Sequence, residues 1–328
     1  MAGKRSIFEE VGADADRSQP QGGGIERGTA GGRAATRLWL LGVVMLVVGA
    51  ILAGGLARFE VAEPPGAGWR RIGQALGTGA FLLWVSGLVG FGLRGLLPPG
   101  WFARLTGLGA ALAGVVVLAW IDPLGAPYLL ALELGLAFAA LGAGTWFVMV
   151  LARPERDLIQ ARRGREAGLG HLSGGLLHLM LVQVLLGGLL AGMDQGRGFP
   201  TWPLMNGSFL PTLALAPPDQ PLWRALVLDP GLVQFIHRGV GYVLVIVGAL
   251  AWWRSRRSAH LATRGAFDAA MLALLGQAVL GVATVLTASH FGVALTHLSA
   301  SVLLWVLLLR TRHLAQYPIA GSIRKGTQ

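Results

Sequence analysis

Eight apolar runs, each close to the ~20 residues that cross a hydrocarbon core, leave few folds open to this chain. They fall at about Leu38–Leu56, Ile72–Leu93, Phe102–Trp120, Pro127–Leu151, His171–Gly192, Leu232–Trp253, Ala266–Leu286 and Phe291–Leu309. In lipid every peptide group must find its partner inside the protein, which restricts a spanning segment to a helix or a closed barrel. The strict alternation of a barrel strand is absent from these runs. Only 13% of residues are charged, about half the share in an ordinary globular domain. The sequence therefore predicts an all-α polytopic membrane protein with eight transmembrane helices. The first run is too long, and starts too far into the chain, to be a cleaved signal peptide.

The formal net charge of +11 invites a nucleic-acid reading, but the distribution of the basic residues argues against it. Alternate connections hold Lys4 to Arg37, then Arg94 and Arg104, then Arg153 to Arg165, then Arg254 to Arg264, then Arg310 to Lys325. The opposite side holds only Arg58, Arg70, Arg71, Arg197 and Arg224. Basic residues collect on the cytoplasmic side, so both termini are expected there, in contact with a lipid bilayer and no nucleic acid. Residues 1–37 read as a disordered cytoplasmic tail, polar and rich in glycine and charge. Residues 152–170 read as a cytoplasmic linker and residues 312–328 as a second tail.

Repetition organises what remains. Gly49-Ala-Ile-Leu-Ala-Gly54 in the first run parallels Gly187-Gly-Leu-Leu-Ala-Gly192 in the fifth. Leu108-Gly-Ala-Ala-Leu-Ala-Gly-Val115 in the third parallels Leu275-Gly-Gln-Ala-Val-Leu-Gly-Val282 in the seventh. The pattern predicts two related four-helix bundles, residues 38–151 and 171–311, in the same orientation. Fifty glycines fit close helix contacts in lipid, where small residues form the interfaces. The chain has no cysteine, which removes disulfides, iron–sulfur ligation, thiolate zinc and the thioether attachment of a c-type haem.

The candidate chemistry lies in the second half. His237 and Arg238 sit just inside the sixth run, and an ionisable pair there is a functional-site hypothesis. His237 and His297 each lie about six residues into their runs, so at ~1.5 Å per residue both are roughly 9 Å below the outer surface. Two imidazoles at one depth on parallel helices suit the two axial positions of a haem iron; equally, each suits an interhelical hydrogen bond. Gly241, Ala294, Ala300 and Ser301 flank them at helical spacing and leave room for a flat macrocycle. Arg238, Arg197 and Arg224 suit its carboxylates.

Longer motifs surround these residues: Ala191-Gly-Met-Asp-Gln-Gly196, Thr201-Trp-Pro-Leu-Met-Asn-Gly207 with Pro211, Gln234-Phe-Ile-His-Arg238, Leu280-Gly-Val-Ala-Thr284 and Ala294-Leu-Thr-His-Leu-Ser-Ala300. Together they resemble the haem A synthase family of cytochrome oxidase assembly, closely over the last four runs and more loosely over the first four. The resemblance implies a b-type haem whose iron is held by His237 and His297, with Arg238 and Trp202 in its surroundings. It also implies oxidation of the methyl group of haem O to a formyl group. Haem O is then the substrate; a haem O synthase and cytochrome oxidase subunits are the expected partners, and a bacterial inner membrane the expected location, with the haem site toward its outer face. The acidic residues Glu9, Glu10, Asp14 and Asp16 speak against a mitochondrial transit peptide.

The first half departs from the family. Where the family has a His-Arg pair and a later histidine, this chain reads Trp69-Arg70-Arg71 and places Glu133. Both histidines are thus replaced, by Arg70 and Glu133, and Glu133 falls where the repeat puts His297. Arginine stays protonated and is no iron ligand, whereas Glu133 near Arg70 or Arg71 suits an ion pair. A second reading follows, a non-catalytic haem b carrier or assembly factor. Glu60 and Glu63 read as solvated loop charges, His171 and His178 as interfacial or packing residues, and His260 and His313 as solvated. His290 is a candidate lining residue, and Trp202, Trp223, Trp252 and Trp253 are boundary anchors.

Overall fold

A computed structural model describes residues 25–59, 67–97, 100–121, 126–193, 197–209, 224 and 227–320. Residues 1–24 of the tail, Glu60, Glu63, Asp194, Gln195, Gly196, Pro211, Trp223 and residues 321–328 lie outside that set. The described residues form α1 (Ile25–Ala57), α2 (Ala67–Leu93), α3 (Trp101–Ile121), α4 (Pro127–Leu151), α5 (Glu155–Arg163), α6 (Ala167–Gly192), α7 (Pro230–Ser255), α8 (Leu261–Leu286) and α9 (Phe291–Gln316). All but α5 are long and apolar enough to cross a membrane, eight in number, as the apolar runs predict.

Local chemistry sets several boundaries. Pro127 opens α4 and Pro230 opens α7, where a missing amide costs nothing. The Asp229 carboxylate accepts from the Leu232 amide at 2.7 Å and caps α7. The short α5 follows Pro154 with Glu155 and Asp157 in its first turn and Arg162 and Arg163 in its last, the order that complements the helix dipole. The linker expected at 152–170 thus contains a helix.

Two other segments are more helical than their polarity suggests. α1 begins at Ile25, inside the stretch expected to be a disordered tail. Thr36 is fully buried, its hydroxyl donating to the Gly32 carbonyl at 2.8 Å. Arg33 reaches across to α4 and donates to Val150 O at 3.1 Å and Arg153 O at 2.6 Å. At the far end of the chain α9 continues past Leu309 to Gln316. His313, expected to be solvated, is 5% exposed and meets Trp146 edge to face at 5.5 Å. Arg312 donates to Gly170 O at 3.0 Å and Arg153 to Tyr317 O at 2.8 Å, so these cations close helix ends onto one another.

Helix neighbours follow chain order. α1 packs on α2, α2 on α3, α3 on α4, and α4 back on α1; α6 to α9 repeat the same circuit. The two circuits touch through α4 with α6, α9 with α1, and α4 with α9. Phe138 of α4, wholly buried, meets Trp305 of α9 edge to face at 5.8 Å. Between α4 and α6 the backbones nearly touch. A β-carbon on Gly188 would lie 2.8 Å from Ala131 Cα, and one on Gly192 would lie 2.6 Å from Pro127 Cα. The glycine stripe of the fifth run is the surface that allows this approach.

Candidate functional site

His237 and His297 stand on α7 and α9, and both are half-buried. The two imidazoles lie within electrostatic range of each other. Each is served by a glutamine from the preceding spanning helix. The Gln183 amide of α6 donates to the His237 main-chain carbonyl at 2.9 Å and lies 3.2 Å from its ring Nε2. The Gln277 amide of α8 donates to the His297 carbonyl at 3.1 Å. A lone glutamine inside an apolar run was the available signal for both residues. Which histidine it serves depends on lateral helix pairing, which sequence spacing does not encode.

Glycines form the floor under both rings. A β-carbon on Gly281 of α8 would come within 3.2 Å of His297 Cε1, and one on Gly187 of α6 within 3.5 Å of His237 Cε1. A β-carbon on Gly241, one turn beyond His237, would meet the Gln183 amide at 3.3 Å. The Nδ1 atoms of both histidines are buried without a hydrogen-bond partner, as are the Gln183 and Gln277 carbonyl oxygens. Such orphaned polar atoms are costly in a finished core, and they leave both rings and both amides able to take a further partner.

Arg238 is occupied differently from the sequence expectation. Its guanidinium donates to Phe199 O at 3.0 Å and to Pro203 O at 3.5 Å, fastening the loop after α6 down onto α7. The Gln234 amide reaches Phe199 O at 3.5 Å from the same helix. Trp202 in that loop donates its indole N–H to the Tyr242 hydroxyl at 3.0 Å and remains 45% exposed. Within the loop, the Thr201 hydroxyl accepts from the Asn206 amide at 2.7 Å and donates to Leu204 O at 2.8 Å. Met205 and Ser208 pair as a one-rung bridge, Met205 being 2% exposed. Asn206 and Gly207 both take positive φ, which the short polar side chain and the absent one tolerate. The Thr-Trp-Pro-Leu-Met motif is thus a folded cap tied to the helix that carries His237.

The remaining candidates separate in space. His290 and Arg197 line a cleft of about 490 Å³ with Phe59, Thr287 and Phe291, at the mouth between α1 and the α8–α9 turn. Arg70 and Glu133 are half-buried, and neither is without a partner. His171 and His178 are exposed on α6, and His178 Nδ1 bonds the Gly174 carbonyl at 2.7 Å. His260 stands at the N-terminal boundary of α8. Among the described residues no group of three or more His, Cys, Asp or Glu could hold a metal ion, so the paired histidines are the arrangement to explain.

Eight apolar helices, two of which bring a pair of half-buried histidines within range of each other, define a polytopic membrane protein. The sequence profile of the cytochrome oxidase assembly protein family (COX15-CtaA) matches residues 67–309. The chain is 40% identical to a protein named Heme A synthase from Cereibacter sphaeroides, over an alignment of 391 residues covering 99% of both chains. It is 41% identical to one of that name from Dinoroseobacter shibae, over 386 residues and 99% of both chains. It is 40% identical to one from Ruegeria pomeroyi, over 390 residues, 99% of this chain and 100% of the relative. The chain belongs to the COX15-CtaA family of cytochrome oxidase assembly proteins.

Proposed function

We propose that this protein is a membrane oxidoreductase of haem A biosynthesis, oxidising the methyl group of haem O to a formyl group for cytochrome oxidase assembly. His237 and His297 would hold a haem b iron as its two axial ligands. The observation that carries the reading is the pair of half-buried imidazoles over the glycines Gly187 and Gly281, each with its carbonyl held by a glutamine. When bound, the haem would supply redox capacity for a conversion that removes four electrons from the methyl carbon, adds one oxygen atom and requires an external electron acceptor.

The protein's own residues supply position and shelter. Gln183 and Gln277 fix the main chain at each histidine, limiting where the rings can point. Gln183 also engages His237 Nε2, so an incoming ligand to that nitrogen exchanges one hydrogen bond rather than filling a void. The glycine floor admits a flat ring system close to backbone, which an alanine at 281 would contest. Arg238 and Trp202 hold the loop cap against α7, where it screens the site from water. In this reading the two helix circuits are two related bundles with their termini on the cytoplasmic side, in a bacterial inner membrane, and the haem site faces outward. Haem O synthase and oxidase subunits are the natural partners.

Arg70 and Glu133, at positions where the resemblance places histidines, favour a second reading in which the chain carries a haem b without converting haem O. Co-expression with a haem O source, followed by pigment extraction, separates the two. Haem A in the extract supports the synthase. Its absence beside a retained two-histidine b-type spectrum supports the carrier. Absence of a Soret band from the purified protein, or an unchanged band in both His237→Ala and His297→Ala, overturns both.

A further inference from the structure

We propose that the cleft between the start of α6 and the end of α7 binds a phospholipid headgroup carrying both a phosphate and a primary ammonium, a phosphoethanolamine. The cleft has a volume of about 420 Å³ and is lined by the first turn of α6 from Glu166 to Leu169 and by Trp253, Arg254, Arg257 and Ser258. One long apolar helix begins here and its neighbour ends here, which places the cleft at headgroup level in the bilayer. Trp253 is 54% exposed, with the Arg257 guanidinium 5.0 Å from its ring centroid, an aromatic at interface depth beside a cation.

The positive side of the cleft is available. Arg256 is committed to Asp268 at 2.7 Å, but among the described residues neither Arg254 nor Arg257 is bridged to a carboxylate. The opening amides of α6 have no intrahelical acceptor, and the Glu166 side chain does not cap them. Two guanidinium groups and the free helix amides form a set of donors suited to phosphate, while the Ser258 hydroxyl is engaged with His260. Basic pockets of this kind between spanning helices are where lipid headgroups bind.

A second feature selects among lipids. Glu166 is pinned by its main-chain N–H, which donates to Ala315 O at 2.8 Å, and its carboxylate Oε2 is buried with no hydrogen-bond partner. A carboxylate oxygen out of water and without a donor is expensive. A primary ammonium offers three N–H donors and a positive charge to meet it. A trimethylammonium has the charge and no N–H, and a glycerol headgroup has hydroxyls and no charge. The cleft therefore presents an anion site and a cation site side by side, the pattern of a zwitterion with donors at its positive end.

The test uses the full-length protein in phosphatidylcholine vesicles containing equal minor fractions of phosphatidylethanolamine and phosphatidylglycerol, with the retained lipid read by native mass spectrometry after extraction. Phosphatidylethanolamine should be enriched on the order of tenfold over phosphatidylcholine, the ratio one charge-assisted hydrogen bond supplies. Stepwise N-methylation of the headgroup, on unaltered protein, should erase the enrichment as the donors disappear. Glu166→Gln should bring phosphatidylethanolamine down to the level of phosphatidylcholine. The double change Arg254→Gln with Arg257→Gln should abolish retention of both minor lipids, while Arg256→Gln leaves it unchanged. Enrichment that survives Glu166→Gln, or equal retention of phosphatidylglycerol, overturns the proposal. Displacement by soluble phosphoethanolamine as readily as by the lipid overturns the assignment to a membrane component.

Discussion

Gln183 holds His237 at two points, the main-chain carbonyl at 2.9 Å and the ring Nε2 at 3.2 Å, whereas Gln277 touches only the carbonyl of His297. The asymmetry makes the two glutamines separable by experiment. Gln183→Leu should lower the stability of the detergent-solubilised protein by ~1 kcal/mol, the usual worth of a hydrogen bond between spanning helices. It should also change how much haem the protein retains, read from its absorption spectrum, since in the free protein Nε2 then has no hydrogen bond to exchange for the iron. Gln277→Leu should cost similar stability and leave the spectrum nearer to wild type. Thermal unfolding followed by fluorescence, with spectra recorded alongside, checks both. An identical spectral response of the two variants would count against the ring contact.

The glycines under the rings yield a graded series. At Gly187 an added methyl stands at ordinary contact distance from His237, 3.5 Å, while at Gly281 it stands at 3.2 Å from His297, with little space to yield. Gly187→Ala should keep its pigment. Gly281→Val, bulkier still, should lose most of it at unchanged expression. Pigment per protein, measured on purified samples, decides this.

The seam between α4 and α6 should be the least forgiving part of the structure. Gly192→Ala and Gly188→Ala each drive a methyl into backbone at 2.6 Å and 2.8 Å, so each should cost at least the ~1–3 kcal/mol of an overpacked core. Gly175 on the same helix faces open space, and Gly175→Ala should instead gain ~0.5–1 kcal/mol from helix propensity. Size-exclusion profiles after stepwise heating report all three.

Arg238→Lys should loosen the loop cap while retaining the charge. A lysine offers a point charge in place of the fork that reaches Phe199 O and Pro203 O. Faster proteolytic cleavage between residues 197 and 209, with the transmembrane fragments intact, is the expected result. Cleavage at the wild-type rate would show that Trp202 and Tyr242 hold the loop unaided.

Where the sequence was informative follows from what each level of structure depends on. A spanning helix is a local property of some twenty residues, so all eight were legible from apolar runs, Pro127–Leu151 to the residue. Helix ends were less so, because Arg33, Arg153 and Arg312 are polar yet bond to carbonyls of neighbouring helices. His313 was misread for that reason: its arginine neighbours along the chain suggested water, while its ring packs against Trp146 of α4 and Tyr317 one turn on. The site shows the same division. His237 and His297 were visible as costly residues in apolar surroundings, whereas the roles of Gln183 and Gly281 depend on contacts made across helices. Arg238 was visible too, as a partner for the carboxylates of a haem, whereas its bonds to the Phe199 and Pro203 carbonyls depend on where the loop folds.

A joint with no clearance for a methyl group cannot work as a bearing. Where Ala131 meets Gly188 and Pro127 meets Gly192, sliding or tilting one helix against the other would push atoms through atoms. The α4–α6 seam thus locks the two helix circuits together along this stretch. On the proposed function, haem O would then reach the site sideways from the lipid or through the rim between helices, and its product would leave by the same kind of route.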